Sequence, residues 1–247
     1  MAKINRSQKK LTLKYKMHNN AQTFWLENLK QADQYNNWII EQIQPYLGNN
    51  VLEVGCGNGN FTVFLAQQCD RVTGIDINKE YVETAKKKLA KQANVTILQE
   101  DATKIESKNT FNTIIMLDVL EHIKNDVATL QHLNTLLHPQ GKLIIKVPAL
   151  NYIYGEMDRA IGHYRRYNKH TLANTFQKAN LASPKVWYFN IAGIPGWWLN
   201  SILKRTTPPS QQVSFFNKVV PILSTVESIV KPPVGLSLFA VVSKDSN

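Results

Sequence analysis

The residues best suited to chemistry come early. Glu53 closes an apolar run, and Gly55, Cys56, Gly57, Asn58 and Gly59 follow it in "LEVGCGNG". Alternating glycines let the chain turn tightly and let a ligand touch the backbone. A dinucleotide fingerprint would read GxGxxG and place a pyrophosphate at a helix N-terminus, whereas the spacing here is GxGxG. Glu53 would repel a pyrophosphate and attract a cationic ligand. Asp76, followed by Ile77, stands seventeen residues after Gly59, where an acid can take both hydroxyls of a ribose. Asp101 and Ala102 follow a further apolar run and can meet an adenine edge. A cationic head, a ribose and an adenine together describe S-adenosylmethionine. Cys56, wedged between glycines, reads as a space-filler and not as a nucleophile.

Methyl transfer from such a cofactor is an in-line displacement at a carbon already activated by sulfonium, so orientation does most of the work, about 7–11 kcal/mol. A hydroxyl acceptor gains a further ~10²–10⁴ in rate from a general base. Asp118, Glu121 and His122 fall at i, i+3 and i+4 just after Leu117. A helical start there would put them on one face toward the cofactor. His122 is the candidate base, Asp118 its neighbour, and Leu117 and Asp118 also border the cofactor. A second cluster, "YGEMDRAIGHYRRYNKHT", supplies His163 as another catalytic candidate. Its Tyr154, Arg165, Arg166 and Tyr167 suit a phosphate or carboxylate on the acceptor. Farther on, "NIAGIPGWWLNSILKR" runs thirteen largely apolar residues from Ile191 to Leu203 into Lys204 and Arg205, and Trp197 joins the substrate candidates.

The elements that must hold these residues alternate. Apolar runs predict strands over 51–54, 71–75, 94–98, 113–117 and 143–147, and helical patterns fit at 60–68, 79–92 and 126–136. Such βαβ alternation implies a Rossmann-like, mostly parallel sheet with helices on both faces. A helix near 171–179, a strand at 185–189 and a last strand at 235–242 complete seven strands. Residues 1–48 read as a basic segment plus one amphipathic helix over 21–46, 49–190 as the core, 191–234 as an inserted cap, and 235–247 as the final strand and tail. The cap leaves the ligand side of the sheet and can roof the site.

The net charge of +11 is unevenly placed: Lys and Arg outnumber Asp and Glu by seven to three over residues 1–50 and eleven to four over 151–247, while 51–150 balances. Basic flanks suit nucleic acid, an anionic membrane surface or an acidic substrate. Lys3, Arg6, Lys9, Lys10, Lys14 and Lys16 are six of the seven cations of the first flank. Cys56 and Cys69 form no zinc or disulfide pattern, the N-terminus lacks a secretory apolar core, and no uncharged run reaches the ~18 residues of a bilayer span. The expected location is the cytoplasm, with peripheral contact at the inner face of the membrane as the reading of the cationic flanks.

"LEVGCGNG", "GIDIN", "EDA" and "LDVLEHI", in this order, resemble class I S-adenosylmethionine-dependent methyltransferases, over residues 51–147. The resemblance implies that Glu53 orients the cofactor's amino acid part through the loop, Asp76 binds ribose and Asp101 meets adenine. It also implies an antiparallel last strand. "DVLEHI" is similar to the ubiquinone-biosynthesis O-methyltransferases, which implies that a carboxylate and a histidine here engage a divalent metal. Three ligands within one turn lack distant partners, however, and no metal set is assigned. The cluster from Tyr154 resembles a loop of bacterial methyltransferases of uncertain substrate. The expected function is methyl transfer to a hydroxyl, rather than an amine, of a small or lipid-linked, partly anionic acceptor. The alternatives are an RNA or protein methyltransferase using the basic flanks, and a non-catalytic cofactor-binding module. Nucleic-acid methylation is opposed by Leu117-Asp118-Val119-Leu120, which is no Asn/Asp-Pro-Pro-aromatic motif. The oligomeric state is not assigned.

Overall fold

The computed structural model describes residues 21–28, 30–106 and 110–245. The six cations read between Lys3 and Lys16 lie outside them. Among the described residues, strands β1 (Asn50–Val54), β2 (Arg71–Asp76), β3 (Val95–Gln99), β4 (Phe111–Leu117), β5 (Leu137–Pro148), β6 (Lys185–Phe189) and β7 (Ser237–Ser243) form one sheet in the order β3-β2-β1-β4-β5-β7-β6. β7 runs antiparallel to both of its neighbours, and the other pairs are parallel. The sheet is therefore seven-stranded, mostly parallel and Rossmann-like, with the last strand reversed.

The two-residue period of the strands divides the core into two layers. Leu52, Val54, Ile114, Met116, Leu143, Ile145, Leu238 and Ala240 point to one side. There α5 (Asp126–Thr135) and α7 (Lys169–Lys178) bring Leu130, Leu133, Leu172 and Phe176. Val51, Ile115, Ile144, Phe239 and Val241 point to the other side, against α2 (Asp33–Ile43), α3 (Thr62–Gln68) and α9 (Ser210–Ile229). Asparagine starts three of the helices: Asn78 caps α4 (Lys79–Lys88), Asn125 caps α5 and Asn168 caps α7, each side chain accepting first-turn N–H groups.

The single helix expected over 21–46 is two. Residues 21–28 form α1, and α2 begins only at Asp33. The break turns α1 away from the sheet face that α2 covers, and carries it over the carboxyl ends of the strands. The cap consists of α8 (Gly193–Ile202) and α9, the latter helical through Pro221. Short α6 (Glu156–Ile161) precedes α7 in the loop after β5.

Candidate active site

A cavity of about 990 Å³ opens at the carboxyl ends of β1, β2, β4 and β5, under α1 and the cap. That lies at the upper end of the ~300–1,000 Å³ span of small-molecule sites. Its floor is the glycine turn. Gly55, Gly57 and Gly59 have φ of +73°, +53° and +76°, and a Cβ on Gly57 would stand 2.9 Å from Leu26 of α1. The turn is tied down by Gly55 and Cys56, whose N–H groups donate to the Ile75 carbonyl. Asp76 braces it from β2, accepting from Gly57 N–H at 3.0 Å and from Asn78 N–H at 2.8 Å. A carboxylate offers about four lone-pair sites, so Asp76 retains acceptors for hydroxyl groups.

Glu53, 3% exposed, accepts a 2.6 Å hydrogen bond from Thr62 Oγ1 at the start of α3. Burial pushes its carboxyl up to about 7, against the opposing hydrogen bond of Thr62. A buried carboxyl poised near neutrality is completed by a cation. Asp101 accepts from the N–H and hydroxyl of Thr103, and these hydrogen bonds hold its carboxyl below the usual range. Asn58, Ile77, Asp101, Ala102, Leu117 and Asp118 all line the cavity. Ile77 is 71% exposed, an apolar side chain at the cavity's edge. Burial, then the neighbouring Glu53 and Asp76, push the Cys56 thiol far up, so no thiolate forms there.

The expected helical face of Asp118, Glu121 and His122 is corrected by the structure. Asp118 takes φ +56° and only a 3-10 turn, Leu120–His122, follows. The left-handed residue sends the Asp118 carboxylate to Lys146 of β5, with which it forms an ion pair. Glu121 and His122 turn instead toward the loop after β5. There His163 Nδ1 lies 2.8 Å from Asp158 Oδ1, its Nε2 lies 3.6 Å from Glu121 Oε1, and its ring meets His122 edge to face at 4.7 Å. Glu121 is fully buried and neither of its carboxylate oxygens has a hydrogen-bond partner. Burial, then the like charge of Asp118, raise its carboxyl well above the ordinary range. Burial works against the Asp158 carboxylate, yet the hydrogen bond from His163 and the charge of Arg166 hold it low.

The adjacent arginines do not form the expected anion clamp. Consecutive residues of an extended segment project to opposite sides. Arg165 pairs with Asp126 and donates to the Lys124 carbonyl, away from the cavity wall. Arg166 turns inward, donating to Asp158 and to the Ala149 carbonyl. Its Nη2 is buried without a partner, and the guanidinium lies 4.4 Å over the Trp197 ring. Trp197 in turn stacks on Trp25 of α1 at 5.8 Å. Tyr154 and Tyr167 are bound elsewhere, Tyr154 to the His163 carbonyl and Tyr167 to Asp126, and they brace the loop from outside the cavity.

Lys146, Tyr35 and Asn190 are among the cavity residues that escaped the sequence reading. Lys146 had a signal, a lone charge inside the buried run "LIIKVP". Burial lowers its ammonium and the Asp118 carboxylate more than restores it, so Lys146 stays charged. Asp118 and Asn190, both at positive φ, stand just past the ends of β4 and β6 and line the cavity.

A sheet of this order with its last strand reversed, and a glycine turn facing acids on the next two strands, defines the class I S-adenosylmethionine-dependent methyltransferase fold. The chain belongs to the methyltransferase domain family, which matches residues 17–183. It is similar to a pavine N-methyltransferase of Thalictrum flavum subsp. glaucum, 35% identical over 112 residues, 43% of this chain and 31% of that one. It is also similar to a ubiquinone biosynthesis O-methyltransferase of Vibrio cholerae, 29% identical over 108 residues, 42% of this chain and 44% of the relative. The matched stretch thus spans less than half the length of either relative. Among solved structures, phosphoethanolamine N-methyltransferase 2 of Haemonchus contortus with bound S-adenosyl-L-methionine superposes with a TM-score of 0.60 at 19% identity, covering 85% of this chain and 52% of that one. The N-methyltransferase NodS of Bradyrhizobium japonicum, with bound S-adenosyl-L-homocysteine, gives 0.57 at 14% identity and covers 87% of each chain.

Proposed function

We propose that the chain moves the methyl group of S-adenosylmethionine to a hydroxyl of a small or lipid-linked acceptor held beneath the cap. The observation that supports this reading is the His122–His163–Asp158 arrangement, whose two imidazoles line the cavity while the buried Asp158 carboxylate holds His163. Asp158 accepts the Nδ1 proton of His163 and so leaves Nε2 as the basic nitrogen, the logic by which a carboxylate orients an imidazole. His122, half-buried on the wall, receives the acceptor's proton, and His163 supports it from behind. Arg166 Nη2, buried and unpartnered, suits an oxygen function elsewhere on the acceptor. The cofactor's amino acid part rests on the glycine turn ahead of Glu53, its ribose at Asp76 and its adenine between Ile77, Asp101 and Ala102. When bound, the cofactor supplies the activated methyl; the protein holds the oxygen lone pair in line and excludes water with Trp25, Trp197, Met157 and Ile161, all on the cavity wall.

The donor atoms of Glu121, His122 and His163 lie within 4.8 Å of one another. His163 is the distant partner that the sequence did not reveal; were the three to hold a divalent cation, that ion, in place of His122 as base, would activate the acceptor oxygen as a Lewis acid. Amine methylation is the second reading. The orphaned carboxylate of Glu121 suits an ammonium, and the pavine enzyme is named for nitrogen. The test is incubation of the purified chain with labelled cofactor and separated lipid and aqueous cell extracts. An O-methylated product is expected, formed at least about 10²-fold more slowly by His122→Ala. An N-methylated product would transfer the assignment to the second reading. No labelled product from any fraction would sink both.

A further inference from the structure

Among the described residues fourteen large hydrophobic side chains are exposed, and ten of them lie between Ile191 and Val230, within or just beside the two cap helices. On α9, Phe215, Ile222, Val226 and Ile229 recur at seven, four and three residues, one stripe along the helix. The opposite face of α9 is already used: Phe216, Val220 and Leu223 pack with Trp38 and Phe189. On α8, Trp198 and Ile202 are likewise exposed, at 53% and 55%. A helix pair that has buried one apolar face and still shows another has a surface to cover.

The charges say what covers it. Residues 191–234 hold Lys204, Arg205, Lys218 and Lys231, all exposed, against one acid, Glu227. Glu227 is turned inward, accepting the N–H groups of Asn190 and Ile191 at 2.9 and 2.7 Å. Lys218 sits within the stripe, three residues after Phe215 and four before Ile222. A second copy offering the same face would bring four cations against four. A soluble polyanion would neutralise the cations and leave the apolar side chains wet. The twenty residues ahead of Ala21 add six cations and no acid. They join α1, whose Trp25 stacks on Trp197 of the cap.

We propose that the outer face of α8 and α9 docks on an anionic phospholipid surface, apolar side chains entering the headgroup boundary and lysines meeting the phosphates. Such helices lie in the interface and do not span it, in keeping with the lack of any described helix long and apolar enough to cross a membrane. Phe215 lines the cavity and is also 68% exposed, so the cavity opens on the docking face. A lipid-linked acceptor would enter there without crossing water. Docking rests on the surface alone; only that use of it rests on the acceptor reading above.

The test is sedimentation of the full chain with vesicles of phosphatidylcholine, with and without phosphatidylglycerol. Binding is expected only with phosphatidylglycerol, weakening as salt rises. The pair Ile222→Ser/Ile229→Ser and the pair Lys218→Gln/Lys231→Gln should each lower the bound fraction about tenfold or more. None of these four residues lines the cavity, so S-adenosylhomocysteine binding should persist and report that the variants are folded. If the apolar pair fails to fold, the lysine pair decides. Docking is overturned by folded wild-type protein that ignores both vesicles, by binding that a folded variant pair retains, or by a vesicle-free dimer that the apolar pair dissociates. Vesicle binding without turnover would leave docking standing and sink only the catalytic reading.

Discussion

At the scale of single residues, the site is an arrangement of buried charges whose partners decide their state. Glu53 has an ordinary value near 4.5 and a folded value of about 7, raised by burial. A carboxyl raised on folding contributes stability that is fully present below the unfolded value and is lost as pH rises through the folded one. The window is therefore pH 4.5 to 7, and the whole effect is about 3 kcal/mol at ~1.4 kcal/mol per unit. Urea unfolding of Glu53→Gln beside wild type should show the variant gaining relative stability by up to that amount between pH 5 and 8. A constant difference would mean that Glu53 does not titrate in that range. The same variant should bind S-adenosylmethionine more weakly and lose the part of the affinity that rises through neutral pH.

The ion pair beneath the cavity makes an asymmetric prediction. Lys146 has a side chain only 3% exposed and Asp118 one that is 43% exposed. Removing the acid strands a buried ammonium, at a cost of about 3–5 kcal/mol, whereas removing the lysine leaves a carboxylate that water can reach. Asp118→Asn should therefore lower the denaturation midpoint strongly, and Lys146→Met should lower it far less. Equal losses would show that the lysine is not buried as described. These residues also mark where sequence reading stopped. Lys146 was visible as a charge in an apolar run, but its partner was not, because Asp118 reaches it by a left-handed turn that helical spacing does not anticipate.

At the scale of elements, α1 is the piece that closes the cofactor side. Leu26 lies over Gly57, Asn60 Nδ2 donates to the Leu26 carbonyl at 3.1 Å, and Trp25 reaches α8. A ligand on the glycine turn is thus covered by a helix whose contacts must part before it leaves, the situation in which release limits turnover. Leu26→Ala should speed dissociation of S-adenosylhomocysteine by about tenfold while slowing association little, as stopped-flow displacement would measure. An unchanged off-rate would show that α1 is no barrier. The strands and most helices were legible because each repeats its own period. The break between α1 and α2 was not, since both halves carry the same amphipathic spacing and only the packing of α1 over the strand ends separates them.

At the scale of the whole molecule, the exposed apolar surface of the described residues gathers on the cap, where ten of the fourteen exposed large hydrophobic side chains lie between Ile191 and Val230. The middle of the chain is neutral, and the C-terminal excess is shared between residues 151–190, with six cations against two acids, and the cap, residues 191–234, with four against one.

The sequence by itself determined the class of fold, and it placed the glycine turn and the acids of the proposed cofactor side, because these lie close along the chain at strand ends and their chemistry follows from local spacing. Only the tertiary structure decided how the residues of the proposed acceptor side are arranged. Whether Arg165 or Arg166 faces inward, which acid orients His163, and that Glu121, His122 and His163 meet at all depend on a loop folded back across more than thirty residues. No periodicity records such a contact. Burial, which turns a carboxylate such as Glu53 from a surface charge into a group poised near neutrality, exists only once the layers have closed.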